Sequence, residues 1–137
     1  MGAVFDSLVA GIPVMVTHFL AAIAILAAGI AVYNAVTPFK ELELIRAGNA
    51  AAGVSAAGAT VGMALPIAGA LTGSVNLVDL LAWGAVAIVI QLLAFAIVAA
   101  VIRQLVASIT KGEIASALLL AGVQISVGLI NAAAVRG

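Results

Sequence analysis

Four polar side chains interrupt long apolar stretches, and any chemistry in this chain would start from them: His18, Gln91, Gln124 and Asn131. An imidazole titrates near neutral pH and can bind a ligand, so His18 is the candidate for proton or ligand work. It has no Cys or carboxylate neighbour, which favours a structural role. Gln91, Gln124 and Asn131 carry amides, which donate and accept hydrogen bonds but do not titrate. At membrane depth such groups either line a polar path or tie helices together. Asn34 and Asn49 flank the same apolar stretches and read as interhelical ties.

The stretches that must position these groups are long. Of 137 residues, 66% are hydrophobic and 7% charged, and the mean hydropathy is +1.40. A soluble domain carries about 25% charged residues, because its surface faces water. Lipid must therefore be the main solvent here. Four runs are long enough for the ~20 residues that a helix needs to cross the hydrocarbon. They extend from about Leu8 to Ala35, Ala50 to Leu71, Leu80 to Ile102 and Ile114 to Val135. Barrel strands would be short and alternating, so an all-α, polytopic membrane fold with four transmembrane helices is expected. No basic residue precedes Lys40, so the first run reads as a permanent helix rather than a cleaved signal. Asp6 stands where an N-myristoylation motif needs Ser or Thr.

Charges fall between the runs. Lys40, Glu41, Glu43 and Arg46 separate the first two helices, and Arg103, Lys111 and Glu113 separate the last two. Asp6, Asp79 and Arg136 mark the other side. Four of five basic residues share one side, which predicts that the 37–49 and 103–113 connections are cytoplasmic and both termini outside. In the first connection, Thr37-Pro38 predicts an N-cap followed by a first-turn proline. Phe39, Leu42 and Ile45 then recur every third residue, as in a short helix lying in the headgroups. The third helix is expected to continue through Leu105, Val106 and Ile109. Thr110-Lys111-Gly112-Glu113 reads as a capping box opening the fourth. Tyr33 and Trp83 are expected to anchor at opposite interfaces.

Gly48 and Gly112 both precede an apolar run, 64 residues apart. The same offset aligns Ile45 with Ile109, Gly58 with Gly122 and Leu65 with Leu129. This predicts one domain over 1–137, made of two parallel helix-hairpin repeats at about 8–71 and 80–135. Close packing should run through small residues. Gly58 and Gly62 on the second helix, and Gly122, Ser126 and Gly128 on the fourth, are the expected contact positions. Pro66 should bend the second helix and free the carbonyl near Gly62.

Several function classes lose their residues. Cysteine is absent, which removes thiol catalysis and thiolate metal sites. No carboxylate lies mid-run, where a proton-coupled multidrug exporter or a rotary proteolipid needs one. Neither a His-Glu-x-x-His motif, a Gly-x-Ser-x-Gly elbow nor a phosphate loop occurs. The chain is expected to be no enzyme and to need no cofactor or metal. Zero net charge gives nucleic acid no purchase.

Taken together, these residues resemble the YjfL-like bacterial inner-membrane proteins, a domain of unknown function of the UPF0719 type. The resemblance rests on Thr37-Pro38, Glu41, Leu44-Ile45, Asn49, Ala51-Ala52, Gly62 and Pro66. It continues through Asp79, Ala82-Trp83-Gly84, Val89-Ile90-Gln91-Leu92-Leu93 and Phe95, then Gly122, Gly128 and Asn131-Ala132-Ala133. It implies the same four-helix inner-membrane bundle and no known activity. Such proteins are often encoded near phage-shock-type membrane-remodelling proteins and ATP-grasp peptide ligases, which implies a link to envelope stress.

The leading expectation is a non-enzymatic inner-membrane component that anchors or assembles in envelope homeostasis. It would contact lipid, form a homo-oligomer and present the 38–48 connection to a cytoplasmic partner. The alternative is a small oligomeric channel or transporter lined by His18, Gln91, Gln124 and Asn131. An intramembrane enzyme would require His18 to bind a metal or cofactor.

Overall fold

The computed structural model describes residues 1–136. These residues form six helices and no strand: α1 (Gly2–Val36), α2 (Glu41–Arg46), α3 (Ala50–Gly73), α4 (Leu77–Val101), α5 (Leu105–Thr110) and α6 (Ile114–Arg136). The long four, α1, α3, α4 and α6, are each long and apolar enough to cross a membrane. The short two are the connections.

Local chemistry sets where each element stops. The residue before a proline is pushed out of the helical region. Thr37, followed by Pro38, is extended, with ψ 138°. It closes α1 instead of opening α2, its N–H and Oγ1 both donating to the Tyr33 carbonyl, at 2.9 and 2.8 Å. The expected N-cap at Thr37 is thus a C-terminal cap, and α2 starts at Glu41, with Lys40 before it. Gly48 (φ 89°) and Gly112 (φ 88°) end α2 and α5 in the left-handed region that favours glycine. Asn49 then caps α3, its Oδ1 accepting from Ala52 N at 3.0 Å.

The second connection departs from expectation twice. α4 does not continue through Leu105. It ends at Val101, and Gln104, in the left-handed region at φ 65°, turns the chain into a separate α5. Thr110 makes no capping box either. Its Oγ1 donates back to Val106 O at 2.7 Å, inside α5, because Thr110 is still helical. On the opposite side, Asn76 caps α4 by accepting from Asp79 N, at 3.0 Å, and Asp79 Oδ2 accepts from Val75 N, at 3.3 Å.

α3 is the hub. It packs most extensively on α6 and also meets α1, α4 and both short helices. The α3–α6 seam is built from missing side chains. A Cβ at Gly62 would lie 2.6 Å from the Gln124 carbonyl oxygen, and one at Gly69 would lie 2.8 Å from that of Ala132. Gly58 faces the Ala121 backbone, and Gly128 faces that of Gly62. These pairs ascend together, so α3 and α6 run parallel in near-equal register. Gly122 and Ser126 are not in this seam. Gly122 meets open space, both residues are exposed, and Ser126 Oγ donates to Gly122 O at 2.7 Å. Ala121, Gln124 and Gly128 carry the α6 side of the contact instead.

α1 differs from the other long helices. Its 35 residues span about 52 Å, well beyond a hydrocarbon core of about 30 Å. Its buried residues, Ala22, Ile25, Gly29 and Tyr33, all lie in the second half. Residues 1–17 are all exposed, including Val4, Phe5, Leu8, Val9 and Ile12.

Candidate functional site

The bundle interior holds one connected polar group. Proline has no N–H, so Pro66 leaves the Gly62 carbonyl without its helical donor. Gln91, on α4, supplies the replacement: its Nε2 donates to Gly62 O at 2.9 Å and to the Gln124 carbonyl at 3.0 Å. The expected free carbonyl is therefore real, and a neighbouring helix fills it. Gln124 Nε2 in turn donates to the Tyr33 hydroxyl at 2.8 Å. Both glutamines are fully buried. α1, α3, α4 and α6 are thus joined through three side chains. Burial in hydrocarbon makes such bonds costly to lose, because no water can replace the missing partner.

Tyr33 is not the interfacial anchor that its position suggested. It is 1% exposed, and its ring packs edge-on against Phe95 with centroids 5.8 Å apart. Trp83, 41% exposed, does face outward near the start of α4. Asn131 is buried on α6 with its Nδ2 unpartnered, and the Gln91 and Gln124 Oε1 atoms also lack partners. His18 stands apart from the amides. It lies beside Val75 and Asn76 of the α3–α4 turn and Asp79 in the first turn of α4, and its Nδ1 is 2.9 Å from Val14 O. The structure thus joins Gln91 to Gln124 and leaves His18 at the opposite rim from α2.

Glu41 is the group that sequence reasoning passed over. A charge in a polar connection reads as solvated, yet this carboxylate is 3% exposed. α2 turns it inward beside Ser55 and Tyr33, while Lys40 and Glu43 pair with each other outside at 3.5 Å. Glu41 Oε1 and Ser55 Oγ have no hydrogen-bond partner. Burial pushes the Glu41 carboxyl above the ordinary carboxylate range. The available signal was Glu41's place among the residues that carry the family resemblance; the Phe39–Leu42–Ile45 stripe, expected to face apolar surroundings, pointed away from it. In the structure Phe39 is buried, whereas Leu42 and Ile45 are exposed. No group of three or more His, Cys, Asp or Glu able to hold a metal occurs among the described residues.

Residues 7–135 match the family described as Domain of Unknown Function (DUF350). The chain is also 30% identical over 130 residues to the UPF0719 inner membrane protein YjfL of Escherichia coli strain K12, covering 95% of this chain and 96% of that one. The relative of the same name from Escherichia coli O157:H7 matches to the same extent. The chain belongs to the DUF350 family. No solved structure matches it. With four apolar helices and an inner-membrane relative over nearly its whole length, this DUF350 protein is a multi-pass inner-membrane protein.

Proposed function

We propose that this DUF350 protein is a non-enzymatic anchoring or assembly component of envelope homeostasis, working as a homo-oligomer. One observation carries the reading: residues 1–17 lie along an apolar helix that stays exposed among the described residues. His18 already sits level with the α3–α4 turn. About 20 helical residues fill the hydrocarbon, so lipid tails covering α1 from Val36 outward run out near Val16. Beyond that point Phe5, Leu8, Val9 and Ile12 need a protein partner, and a second copy offers the same surface. The test is the mass of the protein extracted in mild detergent, with Val9→Cys cross-linking as a second measure. A defined oligomer with cross-links through position 9 supports the reading. A strict monomer without cross-links overturns it.

The two-repeat arrangement belongs to the same proposal. α2 plus 64 gives the bounds of α5, and the start of α3 plus 64 gives that of α6. The backbone bonds at the two glycine turns match: Gly48 N to Ile45 O and Gly112 N to Ile109 O are both 2.9 Å. The clustering of Lys40, Arg46, Arg103 and Lys111 supports cytoplasmic connections and outward termini. Exposed Lys40, Leu42 and Glu43 suit the 38–48 connection to a cytoplasmic partner.

The channel reading has one observation in its favour. Gln91, Gln124 and Asn131 each keep a buried atom without a partner, as groups along a hydrated path would. Ion flux in liposomes that disappears in Gln91→Leu would establish it; absence of flux in the wild type rejects it.

A further inference from the structure

We propose that the cavity at Glu41 binds a primary ammonium group, as presented by an aminophospholipid headgroup or by a small free amine. The cavity is about 150 Å³ and lies between α1, α2 and α3, with Tyr33, Glu41, Thr60, Ile30, Leu42 and Met63 in its lining. A water occupies about 30 Å³ in the liquid, so this space takes several heavy atoms rather than one solvent molecule.

Three observations select the ligand. Glu41 is almost wholly buried and its Oε1 is unpartnered, as is the adjacent Ser55 Oγ. A buried carboxylate is stabilised by a cation, and none pairs with it among the described residues. Lys40 is engaged with Glu43, Arg46 is exposed, and α3 carries no charged residue. The carboxylate is not there to fill space. Position 105, 64 residues on in the matching short helix, buries a leucine at 2% exposure. A leucine would pack; a carboxylate adds only recognition.

The donor set then separates the cations. Metal ions such as Ca²⁺ take six or more oxygen ligands, and this lining is mostly hydrocarbon. A quaternary ammonium needs an aromatic cage, and Tyr33 is the single aromatic in the lining. A primary ammonium asks for two or three acceptors, which Glu41, the Thr60 hydroxyl and the Asn34 amide oxygen, all in the lining, provide. Ile30, Leu42 and Met63 suit the first carbons attached to it.

The test uses the full-length protein in nanodiscs of phosphatidylglycerol, doped with phosphatidylethanolamine or phosphatidylcholine, and counts lipids retained on extraction by native mass spectrometry. Free ethanolamine is titrated in a separate arm. Retention of phosphatidylethanolamine about tenfold above phosphatidylcholine, cut about tenfold in Glu41→Gln, supports a headgroup ligand. Saturable ethanolamine binding without lipid selectivity, also lost in Glu41→Gln, supports a soluble amine. Equal retention of all three lipids with no ethanolamine binding by the folded wild type overturns the proposal. So does selectivity that survives in both Glu41→Gln and Glu41→Leu. Because the wild-type arms decide alone, a variant that misfolds does not rescue the idea.

Discussion

The two connections on the basic side share a backbone and differ in chemistry. Each is a six-residue helix ended by a left-handed glycine, and their closing hydrogen bonds agree within 0.1 Å. Yet α5 turns Leu105 and Ile109 into the core, while α2 turns Glu41 inward and Phe39 packs from the segment before it. Apolar packing therefore suffices to dock such a helix on this bundle. The buried carboxylate in α2 is an addition to that scaffold. The lead-in differs too: Thr37–Lys40 is four residues, whereas Ile102–Gln104 is three and needs the left-handed Gln104 to turn. Pro38 occupies the longer one.

The largest effect should come from forcing the difference the wrong way. Leu105→Glu places a second carboxylate in the apolar core, where Leu105 is buried, and should cost about 3–5 kcal/mol in unfolding titrations in mixed micelles. Glu41→Leu, the reverse exchange, should cost less than about 1 kcal/mol, because packing is what α5 already manages at that place. Equal losses from both would end the contrast.

The shared backbone predicts equal penalties at its glycines. Gly48→Ala and Gly112→Ala should each destabilise by about 1–2 kcal/mol, since neither meets a steric neighbour and both pay for the left-handed φ alone. A gap of more than a factor of two would mean that the turns are not equivalent.

A smaller asymmetry lies at the next residue. Asn49 caps α3 and also donates Nδ2 to the carbonyls of Ile109 and Thr110, at 2.9 and 3.1 Å, pinning one connection to the other. Asn49→Ala should cost about 1–2 kcal/mol. Glu113→Ala, 64 residues on, should change thermal stability little, because no bond to its carboxylate occurs among the described residues.

The smallest effect concerns pH. Burial raises the carboxyl pKa of Glu41, so the folded chain holds that proton more tightly than the unfolded one. Stability is then full below the ordinary carboxylate range and falls as pH rises through the raised folded value. The facing groups are Tyr33 and Ser55, with Lys40, Glu43 and Arg46 outside on the same short segment. Glu41→Gln should remove this slope from a melting-temperature profile between pH 4 and 8, and a slope that persists would assign it elsewhere.

Much of this architecture was legible in the residues. Hydropathy located four spans, with α3 and α6 starting where expected at Ala50 and Ile114. Gly48 and Gly112 announced their turns, and Pro66 announced the freed carbonyl. Which side of each helix faces inward was harder to read, for a physical reason. Lipid and bundle interior are both apolar, so no polar stripe separates Gly58, buried in the seam, from Gly122, facing outward. Tyr33 was misplaced because an aromatic near a helix end suits either a headgroup or a core. Glu41 was missed because burial of a charge depends on how a short helix is turned. α1 begins near Gly2, not Leu8, since Asp6 and Ser7 do not interrupt a helix.

The Gln91 bond to Gly62 also bears on how the chain is made. Ribosomes deliver α3 to the membrane before α4, so α3 arrives with its Gly62 oxygen unmatched. α4 brings the donor on the next stretch of chain, and α6 brings the second acceptor, Gln124 O, last. The second span is left incomplete until the third joins it, and the third keeps a spare N–H for the fourth.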